Sequence, residues 1–141
     1  MDPLAMRQLG RTGVAIRQLG FGGAPLGELY EKIPEEVAES TLATAYDAGV
    51  RYFDTSPWYG HGLSEHRLGH FLRRQRRDSF VLSTKVGRVY TAPADLTSLD
   101  TGPWAGGLPF ALRFDYSYDG ITRSYEDSLQ RLGLNRVDLL L

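Results

Sequence analysis

The chain contains no cysteine. That excludes a disulfide framework, thiolate metal ligands and a cysteine nucleophile, and it fits a reducing compartment. An excess of charge is also missing: 16 Lys and Arg face 17 Asp and Glu, a formal net charge of −1. Balanced charge gives no electrostatic ground for a nucleic-acid or anionic-membrane partner. No apolar run approaches the ~20 residues of a membrane span. The opening residues, MDPLAMR, lack a basic-then-apolar signal pattern. The expectation is a cytoplasmic protein with neither a nucleic-acid nor a membrane partner. What is present is a chain of 141 residues, 42% hydrophobic and 11% aromatic, enough to bury one sizeable core.

Strand and helix patterns alternate along it. Leu9-Gly10-Arg11-Thr12-Gly13-Val14 predicts a hairpin turn between short alternating segments. Residues 18–22 read as a first buried strand ending in glycines. Pro34-Glu35-Glu36 opens a helix, since proline suits the first turn and acids its positive end. Val37, Ala38, Leu42, Ala45 and Tyr46 share one face of that helix, and Gly49 stops it. Residues 51–54 and 80–86 are further strands. Between them Ser64 is read as the N-cap of a short helix bearing Leu68, Phe71 and Leu72. A Pro/Gly/Asp/Ser-rich stretch over 88–115 is expected to be a mobile loop at the active face. Ile121, Tyr125, Leu129 and Leu132 mark a third helix, and 137–141 a last strand. Strands alternating with helices imply a parallel sheet with helical crossovers. An open doubly wound sheet and a (β/α)8 barrel both satisfy that order.

Chemistry concentrates at the strand ends. Asp54 closes one strand, Tyr59 follows it, and Lys85 closes the next. A carboxylate, a phenol and an ammonium at one end of a parallel sheet make a proton-transfer site. An ammonium stabilises phenolate and draws a tyrosine down from its ordinary pKa near ~10. Such a tyrosine exchanges a proton with a carbonyl or alcohol. Trp58, beside Tyr59, is expected to wall a substrate pocket. Functional groups at the C-terminal ends of several strands favour the barrel.

Other motifs carry less. Gly20-Phe21-Gly22-Gly23-Ala24-Pro25 misses the dinucleotide fingerprint, because Pro25 stands where a small residue is needed and no helix follows at once. His66 and His70 share a helix face, but the zinc-protease order is absent, so no metal site is expected. Gly62-Leu63-Ser64-Glu65-His66 lacks the last glycine of a nucleophile elbow. Arg73-Arg74-Gln75-Arg76-Arg77 falls at a helix C-terminus, where cations are favourable.

Asp54-Thr55-Ser56-Pro57-Trp58-Tyr59-Gly60, then Gly62-Leu63-Ser64-Glu65, then Ser83-Thr84-Lys85-Val86-Gly87, resembles the aldo-keto reductase family. The resemblance runs from the first glycine-rich strand end to Leu141. It implies α/β architecture, the N-terminal half of a (β/α)8 TIM barrel preceded by a β-hairpin that plugs its floor. Residues 1–141 would then be one partial barrel holding the first four strands. The resemblance makes Asp54, Tyr59 and Lys85 catalytic, with a histidine past the fourth strand as the remaining member. It places Gly22, Gly23, Ala24 and Asp54 near the nicotinamide of NADP or NAD, and Trp58 and Tyr59 against substrate. Phe114-Asp115-Tyr116-Ser117-Tyr118-Asp119-Gly120, with Arg123-Ser124 and Glu126-Asp127-Ser128-Leu129, resembles the family's aldose-, galactose- and pyridoxal-oxidising branch. The implied partner is a small carbonyl or alcohol. The isolated chain is expected to be inactive and to self-associate or need a C-terminal half. A non-catalytic, family-like binding or regulatory subunit is the alternative.

Overall fold

The computed structural model describes residues 2–141. Strands β1 (Met6–Gln8) and β2 (Ala15–Arg17) form an antiparallel hairpin with Arg7 opposite Ile16. Its turn is closed by the Leu9 amide donating to the Val14 carbonyl at 2.9 Å. Strand β3 (Phe21–Gly22) runs into a short 3-10 turn over Ala24–Gly27. Helix α1 (Glu35–Asp47) begins after Pro34, with Glu35 and Glu36 in its first turn, as the sequence predicts. Strand β4 (Tyr52–Asp54), helix α2 (Leu63–Leu72) and strand β5 (Val81–Thr84) follow. Then come strands β6 (Arg88–Thr91) and β7 (Ala111–Phe114), helix α3 (Tyr118–Leu132) and strand β8 (Leu139–Leu140).

The central sheet is parallel, in the order β3-β4-β5-β8. Phe21 lies opposite Phe53, Phe53 opposite Leu82, and Ser83 opposite Leu139. Side chains alternate across a strand, so the two faces differ. Phe53 and Leu82 are fully buried with Leu42, Leu68, Leu72 and Leu132 from the helices. Full burial of each such side chain contributes roughly 1.5–3 kcal/mol. Tyr52, Asp54, Val81 and Lys85 occupy the opposite face and are half-buried. On that face Ser83 alone of the β5 residues is fully buried, against Asp54.

Two expectations change. Ser64 is not a cap; it is the second residue of α2, which starts after Gly62, a residue in the left-handed region at φ 97°. Its buried hydroxyl donates to the Gly23 carbonyl at 2.7 Å and lies 2.9 Å from the Thr55 hydroxyl. It thus bolts the helix to two strand ends. The stretch over 88–115 is not one loop. Strands β6 and β7 pair antiparallel within it, Arg88 opposite Phe114. Polar and apolar residues alternate too briefly there for the pattern to be read from sequence. The third helix begins before its apolar stripe, at Tyr118. There the Ser117 hydroxyl accepts from the Gly120 amide at 3.1 Å, and Gly133 ends the helix at φ 63°.

Candidate active site

Strand register brings the site together. Gly22 pairs with Asp54, and Asp54 with Ser83, so one edge of the sheet collects their C-terminal ends. Lys85, two residues beyond Ser83, falls on the same face. Its Nζ donates to Asp54 Oδ2 at 2.8 Å and to the Thr55 carbonyl at 2.9 Å. Asp54 Oδ1 accepts from the Ser83 hydroxyl at 2.6 Å, which fixes the carboxylate from its other side. The ammonium lies 4.8 Å from the centre of the Tyr59 ring. Burial opposes the Lys85 charge, but Asp54 and Tyr59 outweigh it, so its pKa is raised and it stays an ammonium.

A tight turn aims Tyr59. Its amide donates to the Ser56 carbonyl at 3.1 Å, and the His61 amide to the Trp58 carbonyl at 3.1 Å. Gly60 and His61 both take positive φ, 64° and 51°. Gly60 is also pressed against the 3-10 turn: a Cβ there would lie 2.5 Å from the Gly27 carbonyl oxygen. No side chain is tolerated at that approach.

A cleft of about 410 Å3 opens over these groups, lined by Trp58, Tyr59, Lys85, Arg88, Phe114 and Tyr116, among others. A larger cleft of about 500 Å3 lies on the helix side, between α1 and α2, and includes His66 and His70. It is remote from the Asp54–Lys85 pair. Both histidines are exposed, and among the described residues no His, Asp and Glu group could hold a metal ion.

The predicted cofactor residues divide. Gly22 is exposed beside Asp54, and a Cβ there would meet nothing within 4 Å. Gly23 is buried; its amide donates to the Asp54 carbonyl at 2.7 Å, and a Cβ would strike that carbonyl and the Ser64 hydroxyl. It serves packing. Ala24 is half-buried in the 3-10 turn.

Sequence reading missed several residues around the site. Trp104, in the stretch Thr101-Gly102-Pro103-Trp104, is 3% exposed. Its ring lies 5.3 Å from Trp58 and 5.6 Å from Tyr59, centre to centre. Its Nε1 has no partner among the described residues. A lone Trp amid turn-formers was the only available signal. Arg88 and Phe114 reach the cleft because β6 and β7 pair. Tyr90, on β6, donates to the Pro57 carbonyl at 2.5 Å. Burial pushes its pKa far up, so it remains a donor. His61 is buried, its Nδ1 2.6 Å from the Phe110 carbonyl.

A parallel sheet with helical crossovers and a cleft at its C-terminal strand ends is the first part of a (β/α)8 barrel. The chain belongs to the aldo/keto reductase family, whose sequence profile matches residues 18–141. It is 48% identical over 143 aligned residues to pyridoxal 4-dehydrogenase of Microbacterium luteolum, covering 95% of this chain and 41% of that protein. It is 45% identical over 133 residues to D-threo-aldose 1-dehydrogenase of a Pseudomonas species, covering 92% and 40%. Among solved structures, the holo form of an aldo-keto reductase from Bacillus halodurans superposes with a TM-score of 0.74 at 29% identity, covering 97% of this chain and 39% of that one. The chain thus spans about two fifths of its relatives' length. The family and half-barrel expectations are borne out, and the relatives support an oxidoreductase.

Proposed function

We propose that the full-length protein oxidises and reduces sugars or related aldehydes and alcohols with a nicotinamide cofactor, and that Tyr59 moves the proton. The observation that carries this is the Asp54–Lys85 ion pair held beside the Tyr59 ring inside a cleft. Asp54, fixed by Ser83, orients Lys85. Lys85, kept positive, stabilises the phenolate of Tyr59. Tyr59 then gives its proton to a forming alkoxide in reduction and takes it back in oxidation. Trp58 walls the cleft, and the buried Trp104 packs behind Trp58 and Tyr59.

The residues fit the cofactor. Gly22 leaves the strand end bare next to Asp54, where a Cβ would meet nothing within 4 Å. Gly22 and Asp54 would hold its nicotinamide end, with Ala24 nearby. When bound, NADP or NAD supplies the hydride. The names of the relatives, pyridoxal 4-dehydrogenase and D-threo-aldose 1-dehydrogenase, support an aldose or pyridoxal-like substrate.

Tyr59→Phe in the full-length protein tests this. Turnover is expected to fall ~10²–10⁴-fold with cofactor affinity nearly intact, the typical weight of a proton-transfer residue. Unchanged kcat would remove Tyr59 from the mechanism. Cofactor binding without turnover by the parent, across a screen of aldoses and pyridoxal, would favour the non-catalytic reading.

A further inference from the structure

Arg88 stands in the cleft with Tyr59 and Lys85, and no step above uses it. Its guanidinium carbon lies 4.7 Å from the centre of the Trp58 ring and 4.3 Å from that of Phe114. Arg77, Arg113 and Arg131 each reach a carboxylate. The Arg88 side chain reaches none among the described residues; its hydrogen bonding is through the backbone carbonyl, which accepts from Ser124. Lys85 is already matched by Asp54, so Arg88 leaves the cleft with one unbalanced positive charge. Burial pushes the Arg88 pKa below its ordinary value, as expected of a cation lacking a counter-charge. Aromatic rings hold a guanidinium in place without consuming its N–H donors. A rigid fork with free donors matches two adjacent acceptor oxygens.

We propose that Arg88 determines substrate specificity by donating to a pair of neighbouring oxygens on the substrate, beside the carbon that Tyr59 and Lys85 serve. The pair is either vicinal sugar hydroxyls or the two oxygens of an acidic group. This rests on the proton-transfer reading above.

The test uses the full-length protein, as parent, Arg88→Gln and Arg88→Lys. Its substrates are an aldose, the 2-deoxy analogue, the matching uronic acid and a simple aliphatic aldehyde. Arg88→Gln is expected to lower kcat/KM for the oxygen-rich substrate by about 10–100-fold, the cost of a lost charged hydrogen bond. The simple aldehyde should change by less than about twofold, because it lacks the oxygen pair on which the difference depends. If the pair is vicinal hydroxyls, the parent should discriminate against the 2-deoxy sugar and Arg88→Gln should not. Parent preference for the uronic acid identifies an acidic group as the oxygen source; preference for the aldose identifies hydroxyls. If Arg88→Gln fails to fold, Arg88→Lys, which keeps charge and stem but loses the fork, must show the same selective loss. Equal losses on every substrate in folded variants overturn the inference and leave the Tyr59 mechanism standing. A parent that turns over none of them overturns both.

Discussion

Glu65 shows what a single buried charge does here. It is fully buried on α2, yet it accepts from the Thr84 hydroxyl at 2.7 Å and from Arg131 Nε at 2.6 Å. Thr84 precedes Lys85, so this network anchors the strand end that carries the candidate lysine. Arg131 in turn lies over the Tyr90 ring at 4.2 Å. Removing one partner of a buried pair strands the other charge, which typically costs about 3–5 kcal/mol. Arg131→Met is therefore expected to lose stability of that order in denaturant unfolding of the full-length protein. A loss below about 1 kcal/mol, the range of exposed pairs, would show that Glu65 finds another cation. The sequence made Asp54, Tyr59 and Lys85 legible because each closes or follows a strand. It hid Glu65 and Arg131, since a carboxylate and a guanidinium on predicted helices read as solvated.

At the scale of elements, the start of α3 is set by a short acidic turn. Asp115 Oδ1 accepts from the Ser117 amide at 3.1 Å and its hydroxyl at 2.6 Å, and Oδ2 pairs with Arg113 at 2.7 Å. The Ser117 and Arg113 side-chain bonds lead the effects that hold the Asp115 pKa at about 2. A carboxyl whose folded pKa is depressed stabilises the fold above its unfolded pKa and loses that contribution as pH falls through the folded one. The parent should therefore melt higher than Asp115→Asn at about pH 5, with the gap closing toward about pH 2. A gap independent of pH would remove the charge from the account. This turn follows β7, so it also holds the hairpin that carries Arg88 and Phe114 to the cleft. The expected loop over 88–115 became a hairpin for a tertiary reason. Its far end docks where the Tyr30 amide donates to the Pro103 carbonyl and the Ala105 amide to the Glu28 carbonyl, both at 2.9 Å. Those partners lie far away in sequence, and no local pattern announces them.

At the scale of the whole molecule, β3 and β8 are the outer strands of the parallel sheet. Each leaves a row of backbone groups facing outward, and unpaired strand edges recruit other chains. Leu140 and Leu141 are 48% and 63% exposed. Residues 1–141 expressed alone are therefore expected to self-associate or aggregate, and to pair with the remainder of a barrel when it is supplied. Sedimentation at micromolar concentration checks this. A cooperatively melting monomer would mean that both edges are satisfied within these residues.

Apart from β6 and β7, the order of strands and helices, the parallel sheet and the ends where the reactive groups gather were determined by the sequence itself. Apolar periodicity and turn chemistry are local properties and survive reading in one dimension. The tertiary structure alone decided which face of each strand is dry, that Ser64 bolts strands rather than caps a helix, and that Gly23 packs while Gly22 stays open. It alone set Trp104 against Tyr59 and left Arg88 without a carboxylate among the described residues. Those facts depend on register and on contacts between residues distant in the chain. A side chain's role there follows from what the fold brings to it.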